Sequence, residues 1–333
     1  MSDANAGGNG HARVPTDVLE LHFPQLVEAP PPPRKRRRIW LPLLLFALTV
    51  ITTLDVGWEF ARSYVENRQP FSDTDSYASL LVPLQHPRLL LEGMPFSFTL
   101  MGILLMHELG HYFACRYYGI DASYPYFLPA PTLIGTFGAF IWIRSPIRNR
   151  RALFDVGIAG PVVGFLVALP AMAFAVATAK VVPNAPLGDY PFIGNPPLVW
   201  LFTAMFHPGI HPAWLLLHPI GRAAAVALFA TALNLLPAWQ LDGGHILYSL
   251  ASANHRRISL LVSISLIGIG LYASYIWAFW GFLLLVLSLR FRHPPLIDPW
   301  EKLGSNRRMW AVVAFAIFVL CFTPWQIANP SGN

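Results

Sequence analysis

His107-Glu108-Leu109-Gly110-His111 lies in the middle of an apolar run, with Pro95-Phe-Ser-Phe-Thr-Leu-Met-Gly-Ile-Leu-Leu-Met106 before it and Tyr112-Phe-Ala-Cys115 after it. A run of this length can cross a bilayer only as a helix, because hydrocarbon offers no partner to open backbone groups. Three ionisable side chains in that setting are costly and therefore mark a functional site. On a helix the two imidazoles stand four residues apart on one face, where both can hold one zinc ion. Glu108 between them can serve as general base toward the water that such an ion activates. The pattern points first to hydrolysis of peptide bonds within the membrane.

The rest of the chain agrees with a membrane setting. Hydrophobic residues make up 55% of it and charged residues 12%, about half the charge of an ordinary soluble domain. Apolar runs lie near residues 39–60, 95–115, 153–179, 219–240, 258–273, 274–291 and 309–327. The run at 198–217 is broken by Pro208 and Pro212 and carries His207 and His211, with His218 just after it. It reads as a re-entrant or interfacial segment. The expected fold is therefore an all-α polytopic membrane protein of about seven transmembrane helices, with a membrane-embedded β-hairpin or re-entrant segment.

Charge placement gives an independent test of the span assignment. With a cytoplasmic N-terminus, seven spans put 18 of the 23 Lys and Arg residues on the inner side, the bias that the positive-inside rule expects. The basic balance thus reports topology and implies no nucleic-acid partner. Arg34-Lys-Arg-Arg-Arg38 directly precedes the first span, where it would meet anionic lipid head groups. Residues 1–38 read as a disordered, Pro-rich, polybasic cytoplasmic N-terminus, without a cleavable signal peptide. Residues 39–94 form the first transmembrane helix and an outer loop, 95–250 the catalytic membrane core, and 251–333 the C-terminal transmembrane helices. The two cysteines, Cys115 and Cys321, both fall in apolar runs and predict no disulfide.

Two histidines do not complete a catalytic zinc site, which takes three protein ligands and one open position. Asn234-Leu-Leu-Pro-Ala-Trp-Gln-Leu-Asp-Gly-Gly-His245 can supply the third through Asp242. Pro237 cannot continue a helix cleanly, and Gly243-Gly244 permits turns closed to other residues. Broken backbone at membrane depth is tolerated only inside protein or along a wet cavity, so this segment predicts a cavity and a site. Other roles stand beside these: Asp242 as a helix-end cap, Asn234 as an interhelical hydrogen bond, and His245 as a partner of Asp242 or an interfacial histidine. Asp155, beside Arg148, Arg150 and Arg151, reads as a pairing or capping residue. Gly157, Gly160 and Gly164 read as positions of close helix approach.

His107-Glu-Leu-Gly-His111 in one span and Asn234-Leu-Leu-Pro with Leu241-Asp-Gly-Gly in a later one resemble the paired motifs of the site-2 protease family of intramembrane zinc metalloproteases. Phe154-Asp-Val-Gly-Ile-Ala-Gly-Pro-Val-Val-Gly164 resembles the family's glycine-rich span. Gly135-Thr-Phe-Gly-Ala-Phe-Ile-Trp-Ile-Arg144 resembles a membrane-embedded β-hairpin in the manner of plastid and bacterial members. The resemblance covers roughly residues 95–250. It implies one zinc per chain held by His107, His111 and Asp242, with Glu108 as catalytic base and Asn234 positioning substrate or oxyanion. It also implies single-span membrane-protein substrates cleaved within the bilayer, most simply that of a bacterial cell membrane. Residues 180–218 are too few for the PDZ domain of better-known members, and no regulatory domain is expected after residue 327.

A helical substrate hides its carbonyls, so it must be unwound before cleavage. Tyr124 to Pro131 and Gly135 to Ile143, punctuated by Pro and Gly, predict a strand edge that could pair with unwound substrate. The rival reading is a polytopic transporter or channel whose buried His and Asp bind a translocated cation. Glu108 discriminates, because a cation site needs no unligated base whereas hydrolysis does.

Overall fold

The computed structural model describes residues 39–68, 70–71, 82–182, 195–272 and 275–323. The expectations for the polybasic N-terminus at 1–38 lie outside these residues. In chain order the described elements are α1 (Trp40–Val65), the short α2 (Val82–Gln85), a 3₁₀ turn (Pro87–Gly93) and α3 (Met94–Tyr117). Strands β1 (Tyr126–Pro129) and β2 (Thr136–Phe140) follow, then α4 (Arg150–Ala177), β3 (Lys180–Val181) and α5 (Pro197–Phe206). After a 3₁₀ turn at Pro212–Trp214 come β4 (Leu215–Leu216), α6 (Pro219–Asn234) and α7 (Asp242–Ala251). The chain continues through α8 (His255–Tyr272), α9 (Tyr275–Arg290) and α10 (Ser305–Cys321).

The protein is mostly helical, and each of the seven apolar runs carries a helix. Among the described residues, three helical stretches are long and apolar enough to cross a membrane: Trp40–Val65, Pro87–Tyr117 and Arg150–Ala177. The run at 219–240 departs from expectation, because α6 stops at Asn234. Pro237 offers no N–H to continue the ladder, and the chain turns instead, with Trp239 at φ 49°. The 198–217 run divides into the ten-residue α5 and a strand, β4, that pairs antiparallel with β3. The fold is therefore not purely helical: among the described residues two two-stranded sheets accompany the helices.

The centre of the molecule is the pair α3 and α4, with α6 and α7 packed against α4. Phe96, Leu100, Ile103, Leu104, Phe154, Ile158, Phe165, Met172 and Leu228 form one buried apolar cluster among them. Asn149 starts α4 by accepting a hydrogen bond from the Ala152 amide at 2.9 Å, the usual role of an asparagine N-cap. At the far side α1 is joined to α3 by a buried hydroxyl pair, Thr53 Oγ1 to Ser97 Oγ at 2.7 Å. Hydrogen bonds of this kind help hold helices together where lipid supplies no hydrophobic drive. Asp155 pairs as expected, but its partner is Arg307 of α10 rather than the neighbouring arginines. The guanidinium meets the carboxylate through two bonds, at 2.8 and 2.6 Å, and Tyr118 Oη donates to the same carboxylate. This clasp ties α10 to the ends of α3 and α4.

β1 and β2 form an antiparallel hairpin, with Tyr126 opposite Phe140 and Phe127 opposite Ala139. It is fastened to α1. Thr52 Oγ1 donates to the Gly135 carbonyl at 2.6 Å, and Phe46 meets Phe127 edge-on at 5.1 Å. Gly135 is required here, since its φ is 80° and a Cβ would stand 2.7 Å from the Thr52 carbonyl oxygen.

Close backbone contact predicts a pair of opposite outcomes. A Cβ at Gly57 would stand 2.5 Å from the Gly93 carbonyl oxygen, whereas one at Gly102 meets nothing within 4 Å. Gly57→Ala should therefore cost about 1–3 kcal/mol through overpacking. Gly102→Ala should gain up to about 1 kcal/mol from helix propensity. Thermal unfolding in detergent measures both, and a Gly57→Ala midpoint equal to wild type would refute the contact.

Candidate metal centre

α3 presents His107 and His111 on one face, and both are buried, as is Glu108. Asp242 opens α7 at the first position of the helix, where a carboxylate is favoured by the unpaired amides of the first turn. The chain reaches it through Leu235 to Leu241, folded back so closely that a Cβ on Gly243 would stand 2.1 Å from the Leu235 carbonyl oxygen. Only glycine fits that approach. The broken segment foreseen between Asn234 and His245 thus exists, and it delivers the aspartate to the histidine pair.

The donor atoms converge. Nε2 of His107 and Nε2 of His111 are 3.1 Å apart, and Oδ2 of Asp242 stands 3.3 Å from each. Among the described residues these three form the one group with metal-ligating spacing. Two donors each about 2.0–2.1 Å from a tetrahedral ion stand roughly 3.3 Å from one another. The triangle therefore has the size that zinc imposes, and two imidazoles with one carboxylate are a donor set that zinc takes. Asp242 as a mere helix cap would not explain why its oxygen is equidistant from both rings.

Surrounding groups orient the imidazoles. His111 donates from Nδ1 to the Val156 carbonyl at 2.7 Å, which leaves the Nε2 lone pair facing the cluster. α4 offers glycines to both rings: a Cβ on Gly160 would stand 2.1 Å from His111 Nε2, and one on Gly164 3.0 Å from His107 Nδ1. Gly110 faces the Ala159 carbonyl oxygen, 2.6 Å from where its own Cβ would lie. Helices α3 and α4 thus meet backbone to backbone at the site. The Phe154 to Gly164 motif supplies the flat wall on which the histidines rest.

Glu108 is buried beside the triangle without being one of its three donors. The Ile141 amide, just after β2, reaches its carboxylate, which couples the hairpin to the site. Asn234, at the end of α6, brings its side-chain amide to 3.4 Å from His107 Nε2. All five sequence-predicted residues are therefore assembled in one place. His245 is not among them. Its Nδ1 lies 2.9 Å from Nε2 of His293, in the segment after α9. The Val156 carbonyl and the Ile141 amide were not foreseen, because backbone groups leave no sequence signal. The glycine spacing on α4 was a signal for the wall, though not for which ring each glycine meets.

Comparison with known proteins agrees with this geometry. The model of peptidase family M50 matches residues 95–274, more than half of the chain. The chain is 28% identical over 334 residues to the probable zinc metalloprotease EGY1, chloroplastic, of Arabidopsis thaliana, covering 97% of this chain and 59% of that protein. It is 27% identical over 311 residues to the rice protein of the same name (Oryza sativa subsp. japonica), covering 87% of this chain and 51% of that protein. Against the rice (subsp. indica) probable zinc metalloprotease EGY2, chloroplastic, identity is 29% over 219 residues, 63% of this chain and 39% of the relative. The chain thus spans about half the length of the curated relatives it matches. With its apolar helices it is an integral membrane protein, and it belongs to peptidase family M50, the site-2 protease family.

Proposed function

We propose that this chain is an intramembrane zinc metalloendopeptidase that cuts single-span membrane proteins within or near their transmembrane segments. The observation that carries the reading is the convergence of His107, His111 and Asp242 beside a buried glutamate that is not a ligand. A translocation site has no use for that unligated base. His107, His111 and Asp242 would hold the ion. Zinc bound there supplies Lewis acidity to a carbonyl oxygen and lowers the pKa of water. Glu108 takes the proton from the attacking water and passes it to the nitrogen of the leaving amine. The Asn234 amide donates to the carbonyl oxygen as negative charge develops on it. The hairpin is fastened to α1 and touches Glu108 through Ile141. That arrangement suits β2 to receive an unwound substrate strand beside the base.

Residues 95–250 form the catalytic core in this reading, within a chain of about seven spans whose N-terminus is cytoplasmic, most simply in a bacterial cell membrane. Eighteen of the 23 basic residues then face the cytoplasm. The zinc site lies near the cytoplasmic end of α3, so the cleaved product leaves on that side.

Reconstituted protein and single-span model substrates test the assignment of roles. Glu108→Gln should lower turnover at least about 100-fold while zinc content stays near one per chain. His111→Ala and Asp242→Ala should lose both zinc and turnover. Loss of zinc in Glu108→Gln equal to that in the ligand variants would reverse the roles. Gly160→Ala should also lose zinc, because its Cβ would stand 2.1 Å from His111 Nε2; full zinc in that variant would refute the glycine wall.

Orientation is tested by labelling single cysteines in intact cells with an impermeant reagent. Cysteine in place of His86 should be labelled, and cysteine at Ala253 or Ser305 should be protected. The opposite pattern would overturn both the topology and the direction of release.

A further inference from the structure

A cavity of about 370 Å³ opens where the end of α7, the start of α8 and the end of α9 come together. Its wall includes Trp239, His255, Arg256, Ser288, Arg292 and His293, and among the described residues no acidic side chain lines it. Neither Arg256 nor Arg292 forms an ion pair among the described residues. Trp239 and Ser288, two residues of the wall, also carry polar atoms, Nε1 and Oγ, that are buried with no hydrogen-bond partner among the described residues. The indole N–H is a donor only, and a serine hydroxyl can donate or accept. Just behind the wall, Arg150 donates from Nη2 to Ser252 at 3.1 Å, while its Nε is also buried and unpartnered. Two cations and several unused donors, with no carboxylate to answer them, describe a site built for an anion.

We infer that this cavity binds a phosphate group, carried either by an anionic lipid head group or by a free phosphate. Arginine pairs with phosphate through two parallel N–H bonds. A tetrahedral anion with several acceptor oxygens can engage both arginines at once, and a small side-chain shift would open the Trp239 and Ser288 donors to it. A planar carboxylate, with two oxygens, would leave part of that set unanswered. The position suits a lipid, because basic pockets between helices near the membrane surface hold anionic head groups. Phe291 and Tyr248 add aromatic wall of the kind that sits at the membrane interface. The site is separate from the metal centre yet joined to it. His293 lines the cavity, and its Nε2 lies 2.9 Å from Nδ1 of His245, one turn beyond Asp242. An occupant would brace the helix that carries the third metal donor.

Native mass spectrometry of the full chain, released from micelles doped with phosphatidylglycerol or with phosphatidylcholine, tests the inference without relying on proteolysis. Wild type should retain the anionic lipid about ten-fold more than the neutral one, a difference of roughly 1.4 kcal/mol. The double variant Arg256→Gln/Arg292→Gln should lose that preference at an unchanged unfolding midpoint. Ser288→Ala, which alters no charge, should weaken it partially and decides the matter if the double variant is misfolded. Excess inorganic phosphate separates the two sources. Displacement of the lipid, or phosphate-dependent stabilisation of lipid-free protein, identifies a free phosphate. Retention of the lipid against phosphate identifies the head group. Equal retention of both lipids by wild type and variants, together with no effect of phosphate on stability, would overturn the site.

Discussion

Everything at the metal centre depends on how closely α3 approaches α4. Lipid tails are as apolar as leucine, so helices in a membrane are held by contact and hydrogen bonds rather than by expulsion of water. Gly110 on α3 and Gly160 and Gly164 on α4 remove the side chains that would hold these two helices apart, while Gly157 gives the same close approach to α7. The space so created is taken by the two imidazoles. Their rings lie against bare backbone, and a ring held that way has little freedom to turn. His111 is fixed further by the Val156 carbonyl from the same glycine-rich helix. The motif that packs the helices is therefore also the one that aims the ligands.

The parts of this arrangement that were legible in the sequence are those set by local geometry. A four-residue spacing brings His107 and His111 together on any helix, and Pro237 with Gly243-Gly244 announces a break wherever it falls. That Asp242 meets His107 across 135 residues followed from chemistry, since two imidazoles alone make no catalytic site. Side chains paired at long range for structural reasons were not legible. Asp155 has three arginines nearby in sequence, yet the one that reaches it is Arg307, 152 residues away. The end of α6 was misplaced for a related reason. Leu235 and Leu236 are as apolar as the helix before them, so hydropathy runs on although the backbone has already turned. The cavity at Trp239, Arg256 and Arg292 had no sequence signature, because its donors come from separate elements.

Polar side chains spread over α1 give that helix a role that its hydropathy conceals. Thr53 bonds to Ser97 on α3, and Thr52 bonds to Gly135 in the turn of the hairpin. A two-stranded ribbon is at best marginally stable alone. Here it gains a fixed support, and through Ile141 its far end reaches the Glu108 carboxylate. Helix, hairpin and base thus adjoin one another. In the proposed activity this matters because a substrate strand added to the hairpin would be aligned on the same support as the base that acts on it.

The third donor has to come from a separate helix, and its placement at a helix start has a physical reason. A carboxylate on the middle of a span would be buried with no backbone amide to offset its charge. At the first position of α7 it lies in the turn whose unpaired amides make up the positive end of the helix dipole. It is therefore stabilised from one side by the helix and from the other by the histidines. The loop from Leu235 to Leu241 sets the angle of that helix, and its close passage over Gly243 and Gly244 fixes where Asp242 stands. His245, one turn later, carries the same constraint outward to His293. A substitution that loosened this loop would not touch a metal ligand, yet it would move one of the three donors away from the other two. Since the histidines are held by α4 and cannot follow, the triangle would open at its Asp242 corner.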